Sequence, residues 1–152
     1  MYFEEIKLGT AMETSRIQIS REKMVSFATD YDPLPLHTDE EYAKKTRFGK
    51  LIAPGIMVFM SVWAKYIEEI DYTGDQLIAG KSTNVEWFLP VYAGDTVYGK
   101  AAVTALMPRN PYNGTAEITI EVFNQDNALV LRAVTETVVA RRKPGTKRRE
   151  LA

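Results

Sequence analysis

Residues 54–69 read PGIMVFMSVWAKYIEE, and this stretch decides the fold. Proline suits the first turn of a helix and no second proline interrupts the segment, so the pattern predicts a helix over about residues 54–69, with Pro54 at its first position. The first two turns, which include Ile56 and Phe59, carry almost no polar face. Because a helix that is apolar on all sides must be surrounded by other elements, we expect this one to lie at the centre of the molecule.

From residue 76 onward the apolar residues recur with a period of two, which is typical of β-strands. Residues 117–122, EITIEV, alternate polar and apolar without a break, as a sheet with one face toward water requires. We expect an α+β fold in which a four-stranded antiparallel meander, together with a short strand over residues 14–19, curls around the central helix. The four strand candidates are residues 85–89, 96–106, 115–123 and 129–140.

Two shorter helices are predicted ahead of the central one. Ser20 is a suitable N-cap for a helix over residues 21–30. Thr38 and Glu41 have the spacing of a capping box, which predicts the second short helix. The two prolines between these helices exclude helical backbone for the residues before them, so the intervening segment is expected to be a stiff loop.

The composition is that of one soluble globular domain. The chain has 152 residues, of which 45% are hydrophobic and 26% are charged. We expect a single domain over residues 1–143, followed by a basic, flexible tail over residues 144–152. The tail is either simply solvated or a cationic lip that attracts a phosphorylated ligand.

The charge balance bears on partners and location. Nineteen Lys and Arg oppose 20 Asp and Glu, so the net charge of -1 gives no general attraction to nucleic acid or to an anionic membrane. The amino terminus lacks the basic and apolar regions of a secretory signal, and no apolar run is long enough to span a bilayer. The sequence therefore favours a cytoplasmic protein without nucleic acid or membrane partners.

The residues able to carry chemistry are few. There is no cysteine, which excludes disulfides, thiolate metal sites and a cysteine nucleophile, and His37 is the single histidine. We expect neither a metal nor a cofactor. His37 follows Asp32 by five residues in the stiff loop, and an imidazole oriented by a carboxylate is a common proton-transfer unit. A capping or turn role is the alternative, because spacing alone does not bring the two side chains together.

Gly55 offers a second possible element of a site. At the start of the central helix its N–H has no partner within the helix, and the helix dipole favours negative charge there. Since glycine has no Cβ, a ligand can approach this N–H closely, as an oxyanion hole for a thioester carbonyl requires. The alternative is that Pro54 and Gly55 merely begin the helix.

The order of these segments resembles the MaoC-like dehydratase family, which includes the R-specific enoyl-CoA hydratases. Asp32, Pro35, His37 and Asp39 fall on the family pattern of Asp, two spacers, Pro, one spacer, His, one spacer and Asp. Gly55 follows in register. Residues 88–96, FLPVYAGDT, are similar to the segment that follows the central helix in this family, and the resemblance covers about residues 3–143.

The resemblance implies a hotdog fold and reversible hydration of a 2-enoyl thioester carried on CoA or on acyl carrier protein. It also implies a homodimer or a higher oligomer built from dimers, with the substrate between subunits. Asp32 and His37 would activate the water, and the N–H of Gly55 would bind the thioester oxygen. Contacts with the substrate are expected from Phe48, Pro54, Ile56 and Phe59.

Two departures from the family pattern leave other functions open. Leu34 stands where these hydratases often carry Asn, and Pro54 where they often carry His. One alternative is a hotdog thioesterase, which would usually place a carboxylate beside the central helix, where Glu68 and Glu69 lie only at the far end. Another is a non-catalytic subunit that binds acyl-CoA, which the apolar Leu34 favours.

Overall fold

Six antiparallel strands form the sheet of this protein, a computed structural model of which describes residues 1–70 and 76–142. A 3-10 helix over Phe3–Glu5 precedes the first strand. The strands are β1 (Ala11–Glu13), β2 (Ile17–Gln18), β3 (Leu77–Trp87), β4 (Thr96–Pro108), β5 (Asn113–Phe123) and β6 (Leu129–Ala140), and the helices are α1 (Arg21–Tyr31), α2 (Pro35–Thr38), α3 (Glu40–Lys44) and α4 (Gly55–Glu69).

The sheet curls around α4, as the α+β prediction and the resemblance to hotdog proteins require. Val62, in the middle of α4, is fully buried, and it packs directly on the backbone of β4 at Gly99. A Cβ at Gly99 would overlap Val62 and come 3.3 Å from Ile120 of β5, so the missing side chain lets the helix approach the sheet. The hotdog fold is therefore confirmed.

The strand order is β1-β4-β5-β6-β3, with β2 paired separately to β4. The expected four-stranded meander is wrong in one respect, because only β4, β5 and β6 follow one another as neighbours. β3 pairs with β6 instead, and the N–H of Phe88 just beyond it donates to the carbonyl of Val130. Periodicity reveals strands but not their partners, so the crossover between β3 and β4 was not predictable from it.

The burial pattern of β5 confirms that one face of this strand is directed toward solvent, as expected. Ile118, Ile120 and Val122 are fully buried, while the residues between them are partly exposed. β3 differs from its predicted range of 85–89, because the strand begins earlier, at Leu77, and ends earlier, at Trp87. Most β3 residues are exposed on both faces and the register shifts twice near Gly80, so this edge strand has no alternation from which to detect it.

The amino-terminal predictions need three corrections. The strand expected over residues 14–19 is replaced by β1 and β2, because the chain bends between them at Thr14, whose N–H donates to the carbonyl of Gly99. Ser20 does cap α1, accepting from the N–H of Lys23 at 3.2 Å. Thr38 does not cap α3. The expected stiff loop is also wrong in part, because Pro35 is accepted in a first helical turn and begins the separate helix α2, which ends at Thr38. Asp39 is the cap of α3.

The central helix departs from its prediction at both its start and its outer face. Pro54 is the N-cap and Gly55 the first helical residue. The expectation of burial on all sides is wrong for the single chain, since Ile56 is 40% exposed and Met60 is 47% exposed. The sheet covers one side of the helix, and an apolar strip remains on the other.

The ends of the described chain are tied together by ion pairs. Arg141, just after β6, contacts Glu4 at 2.8 Å, and Arg142 pairs with Glu5 of the 3-10 helix. The tail predicted over residues 144–152 lies outside the described residues. In residues 1–70 and 76–142, no helix is both long and apolar enough to cross a bilayer.

Candidate active site

The loop between α1 and α2 brings Asp32 and His37 together. The N–H of Asp32 donates to the carbonyl of Ala28 at the end of α1, and the N–H of Leu34 then donates to the carbonyl of Asp32 at 2.8 Å. This tight turn, followed by Pro35 at the start of α2, reverses the chain. As a result, Nε2 of His37 lies 3.3 Å from Oδ2 of Asp32.

The other ring nitrogen of His37 is fixed by the backbone. Nδ1 lies 2.7 Å from the carbonyl oxygen of Ile52, and because a carbonyl oxygen only accepts, Nδ1 carries the proton. In the neutral imidazole, Nε2 is then the basic nitrogen, and it faces Asp32. His37 is 6% exposed, whereas the side chain of Asp32 keeps 33% of its surface accessible. The pair is thus a sheltered base beside a carboxylate that solvent can still reach.

Both side chains line a cavity of about 420 Å³ between α4, the end of β3 and the loop before α4. Gly55, Phe48 and Ile56 line the same cavity, so five of the seven predicted site residues share one space. The remaining lining residues are mostly apolar: Arg47, Ile52, Ala53, Val58, Trp87, Phe88, Leu89, Pro90, Val91 and Val130.

Pro54 and Phe59 are not among the lining residues. Pro54 is buried as the N-cap of α4. Phe59 is buried in the core, with its ring 6.2 Å from that of Trp63 on the same helix. The sequence indicates that α4 is apolar all round, but it does not distinguish residues that face the sheet from residues that face the cavity.

Gly55 is at the amino-terminal end of α4 and lines the cavity. As the first residue of the helix, it presents an N–H group with no partner inside the helix. The indole of Trp87 lies against it, so that a Cβ on Gly55 would come 2.6 Å from Cε2 of Trp87. This N–H and the pair formed by Asp32 and His37 therefore border one cavity, where a ligand could contact all three.

Asp39, the second acidic residue of the motif, lies outside the cavity. Its Oδ1 accepts from the N–H of Tyr42 at 3.1 Å, which caps α3, and it does not line the cavity. Glu69 lies at the far end of α4, where hydrogen bonds from the hydroxyl and N–H of Ser15 lower the pKa of its carboxyl group. Within the described residues, Asp32 is the one carboxylate that lines the cavity.

Arg47 also lines the cavity, although it was not among the predicted site residues. It is the one cationic side chain among the described residues of the cavity wall, and its Cζ lies 4.7 Å from the centre of the Phe48 ring. The residue belongs to no recognised motif. Its position one residue before Phe48, which was expected to contact substrate, was the available signal.

Comparisons with known proteins show which family this chain resembles. The MaoC like domain family matches residues 4–124. A 3-hydroxybutyryl-CoA dehydratase from Methylorubrum extorquens is 31% identical over 134 residues, 86% of this chain and 83% of the relative. An uncharacterised Bacillus subtilis protein, YdeM, is 30% identical over 142 residues, 93% of this chain and 100% of the relative. The solved structure of a monoamine oxidase regulatory protein from Archaeoglobus fulgidus has a TM-score of 0.89 at 32% identity, covering 93% of this chain and 95% of that one.

Proposed function

Because the chain belongs to the MaoC like domain family, we propose that it is a hydro-lyase that reversibly adds water to a 2-enoyl thioester, giving the 3-hydroxyacyl thioester. The observation that carries this proposal is the shared cavity of Asp32, His37 and Gly55. The name of the Methylorubrum relative supports a thioester of CoA as the substrate class.

In the hydration direction, a water in the cavity lies beside the pair and contacts both Nε2 of His37 and the carboxylate of Asp32, which are 3.3 Å apart. Nε2 of His37 takes a proton from it, since Nδ1 already holds its own proton toward Ile52. The oxygen forms a bond to C3 of the substrate while the carbon–carbon double bond shifts its electrons toward C2 and the thioester oxygen. The carboxylate of Asp32, 3.3 Å from Nε2, stabilises the imidazolium that forms.

The developing negative charge on the thioester oxygen requires a donor. Gly55 supplies its N–H at the start of α4, where the helix dipole adds a favourable field. The proton held by His37 is then delivered to C2, which collapses the enolate and restores the base. The reaction is balanced by water alone, and it needs no cofactor.

The wall of the cavity fits an acyl group. Val58, Val91 and Val130 are buried residues on three different parts of the chain, and they present apolar surface to the same space. An apolar chain entering this space leaves water, which is favourable by about 25 cal/mol per Å² of buried area. The low polarity also strengthens the electrostatic contacts around the thioester.

The two alternative functions have less support. A thioesterase would usually place a carboxylate on or beside α4, whereas the one carboxylate of the described cavity wall, Asp32, follows α1 and is paired with His37. The case for a non-catalytic subunit rested on Leu34. Leu34 is exposed and does not line the cavity, so the change from Asn removes no polar group from the cavity wall.

We also propose that the active form is a homodimer, or an oligomer built from dimers, of a single domain spanning residues 1–143 in the cytoplasm. The apolar strip on α4 supports a second copy as its cover, because Ile56 lines the cavity and is exposed in the single chain. Tyr31 lines a second surface pocket together with Met60 of α4, and Tyr31 and Leu34 are also large and exposed. Light scattering at micromolar concentration tests this, and a monomeric active enzyme would contradict it.

The decisive experiment is a panel of trans-2-enoyl-CoA substrates of increasing chain length, followed by the loss of absorbance of the conjugated enoyl thioester. We expect turnover of at least one of them, and a loss of at least about 100-fold in His37→Gln. Asp39→Asn is the matched control, since it alters a carboxylate of the same motif that caps α3 instead of facing the cavity. An inactive wild-type protein, or release of free CoA without hydration, would refute the proposal.

A further inference from the structure

A cluster of cations lies beside the mouth of the cavity. Residues 44–50 read KKTRFGK, so four of seven consecutive residues are basic in a chain whose net charge is -1. Lys44 is neutralised by Glu41 at 2.9 Å. Arg47 and Lys50 are both exposed, and neither forms an ion pair with any residue in the described ranges 1–70 and 76–142. Their charges are thus available to a ligand.

These two cations are held in place by aromatic rings. The guanidinium carbon of Arg47 lies 4.7 Å from the centre of the Phe48 ring, and Nζ of Lys50 lies 4.5 Å from that of Tyr92. A ring face attracts a cation without using its N–H groups as a carboxylate would. The donors of Arg47 and Lys50 therefore remain free, while their positions are restricted.

The same contacts connect the two cations to the cavity. Arg47 and Phe48 line its wall. The hydroxyl of Tyr92 donates to the carbonyl of Phe48 at 3.4 Å, which links the Tyr92 side chain to the backbone of Phe48. Tyr92 is also bridged to Ile52, whose carbonyl fixes His37. Arg47 and Lys50 are consequently placed on the outer side of the framework that orients His37.

This placement matches the chemistry of a thioester carrier. With the thioester near Gly55 inside the cavity, the charged end of the carrier must remain outside, where solvent and cations can reach it. A guanidinium and an ammonium group are the side chains that bind phosphoryl oxygens by charge-assisted hydrogen bonds. Arg47 is the one lysine or arginine in the described wall of the cavity, and Lys50 lies three residues further along the same loop.

We infer that Arg47 and Lys50 bind the phosphoryl groups at the nucleotide end of CoA, and so select CoA thioesters over carriers that lack this nucleotide. The inference rests on the proposed function for the identity of the thioester. The binding of the phosphoryl groups, however, can be measured without any turnover.

The first test uses adenosine 3′,5′-bisphosphate, the nucleotide part of CoA, in calorimetric titrations. We expect Arg47→Gln and Lys50→Gln each to weaken its binding by roughly tenfold, because each removes a charge-assisted hydrogen bond. Binding to the wild type should also weaken as salt is raised. Lys100→Gln is the matched control, since Lys100 is exposed and lies over the ring of Phe123 away from the cavity. Its affinity should equal that of the wild type.

The second test compares an enoyl-CoA with the same enoyl group on pantetheine, which has no phosphate. The double variant Arg47→Gln/Lys50→Gln should raise KM for enoyl-CoA by at least about tenfold more than KM for enoyl-pantetheine, because only enoyl-CoA carries the phosphoryl groups. Circular dichroism of the variants establishes that they are folded.

Three outcomes would overturn the inference. Equal losses with enoyl-CoA and enoyl-pantetheine would mean that the loop shapes the cavity rather than binding phosphate. An unchanged KM in the double variant would remove both residues from substrate binding. Turnover restricted to thioesters of acyl carrier protein would exclude the nucleotide. If instead no enoyl thioester is turned over but the bisphosphate binds through Arg47 and Lys50, the proposed function fails and the phosphoryl site stands.

Discussion

The indole of Trp87 lies against the α-carbon of Gly55, which joins the end of β3 to the start of α4 at the edge of the cavity. A methyl group on Gly55 would come 2.6 Å from Cε2 and 2.7 Å from Cδ1 of the indole. Trp87 is 50% exposed, so its ring has room to move outward. The absence of a side chain at Gly55 thus determines where Trp87 can lie.

Gly55→Ala is expected to displace this indole and to lower turnover by at least about tenfold, because the new methyl group lies beside the N–H that faces the thioester oxygen. Stability should change little, since the gain of about 1 kcal/mol in helix propensity is offset by the displaced ring. In a Trp63→Phe background, the fluorescence of Trp87 should shift. Gly80→Ala, where an added Cβ meets nothing within 4 Å, is the control. Full activity in Gly55→Ala would remove the oxyanion role.

Asp32 and His37 are expected to act as a unit. Asp32→Asn and His37→Gln should each lower kcat by about 100-fold to 10000-fold, and the double variant should lose little more than the worse single variant. Steady-state kinetics of the four proteins gives this comparison directly. Losses that multiply would show that the two side chains work on separate steps, and a fall in melting temperature with unchanged turnover per folded molecule would make their role structural.

The carboxyl group of Glu4 supplies a pH-dependent contribution to stability. Burial would raise its pKa, but hydrogen bonds from the Arg141 side chain and the Arg142 N–H outweigh burial and lower the pKa below 4.5. A pKa lowered by folding stabilises the native state above the unfolded value, and this is lost as the pH falls through the folded value. Glu4→Gln should therefore cost less than about 1 kcal/mol near neutral pH and nothing in acid.

Urea denaturation of the Glu4→Gln and Arg141→Gln single and double variants measures the coupling between the two residues. We expect a coupling at about pH 7 that weakens as the pH falls through the folded pKa of Glu4, which its hydrogen bonds hold below the ordinary value for glutamate. A coupling that is independent of pH would show that packing, and not charge, joins the 3-10 helix to the end of β6.

The cap of α3 allows a direct comparison between the predicted and the observed residue. Asp39→Ala should destabilise the protein by about 1 kcal/mol, because the N–H of Tyr42 loses its partner. Thr38→Ala should cost less, since the Thr38 hydroxyl makes only a long contact of 3.4 Å to the carbonyl of Leu34. Thermal unfolding of both variants tests this, and the opposite order would restore Thr38 as the cap.

The sequence was sufficient to predict those features whose geometry depends only on residues close together in the chain. The period of β5 and the Ser20 cap follow from neighbouring residues, and both were predicted. The partner of β3 depends on residues 40 or more positions away in the chain, as the pairing of Trp87 with Leu131 illustrates, so periodicity could not provide it. Phe59 was wrongly expected to contact the substrate and Arg47 was missed for the same reason, because what each side chain faces is decided by packing between elements.

Ile52 contributes to the candidate active site in two ways, by orienting His37 and by lining the cavity. Its carbonyl holds Nδ1 of His37, whereas its side chain forms part of the cavity wall. Every amino acid has a carbonyl, so a substitution at this position can reshape the space for the acyl chain while the imidazole keeps its orientation. Position 52 is therefore a place where substrate range can diverge among related chains without a loss of the base, and a natural first choice for altering that range by design.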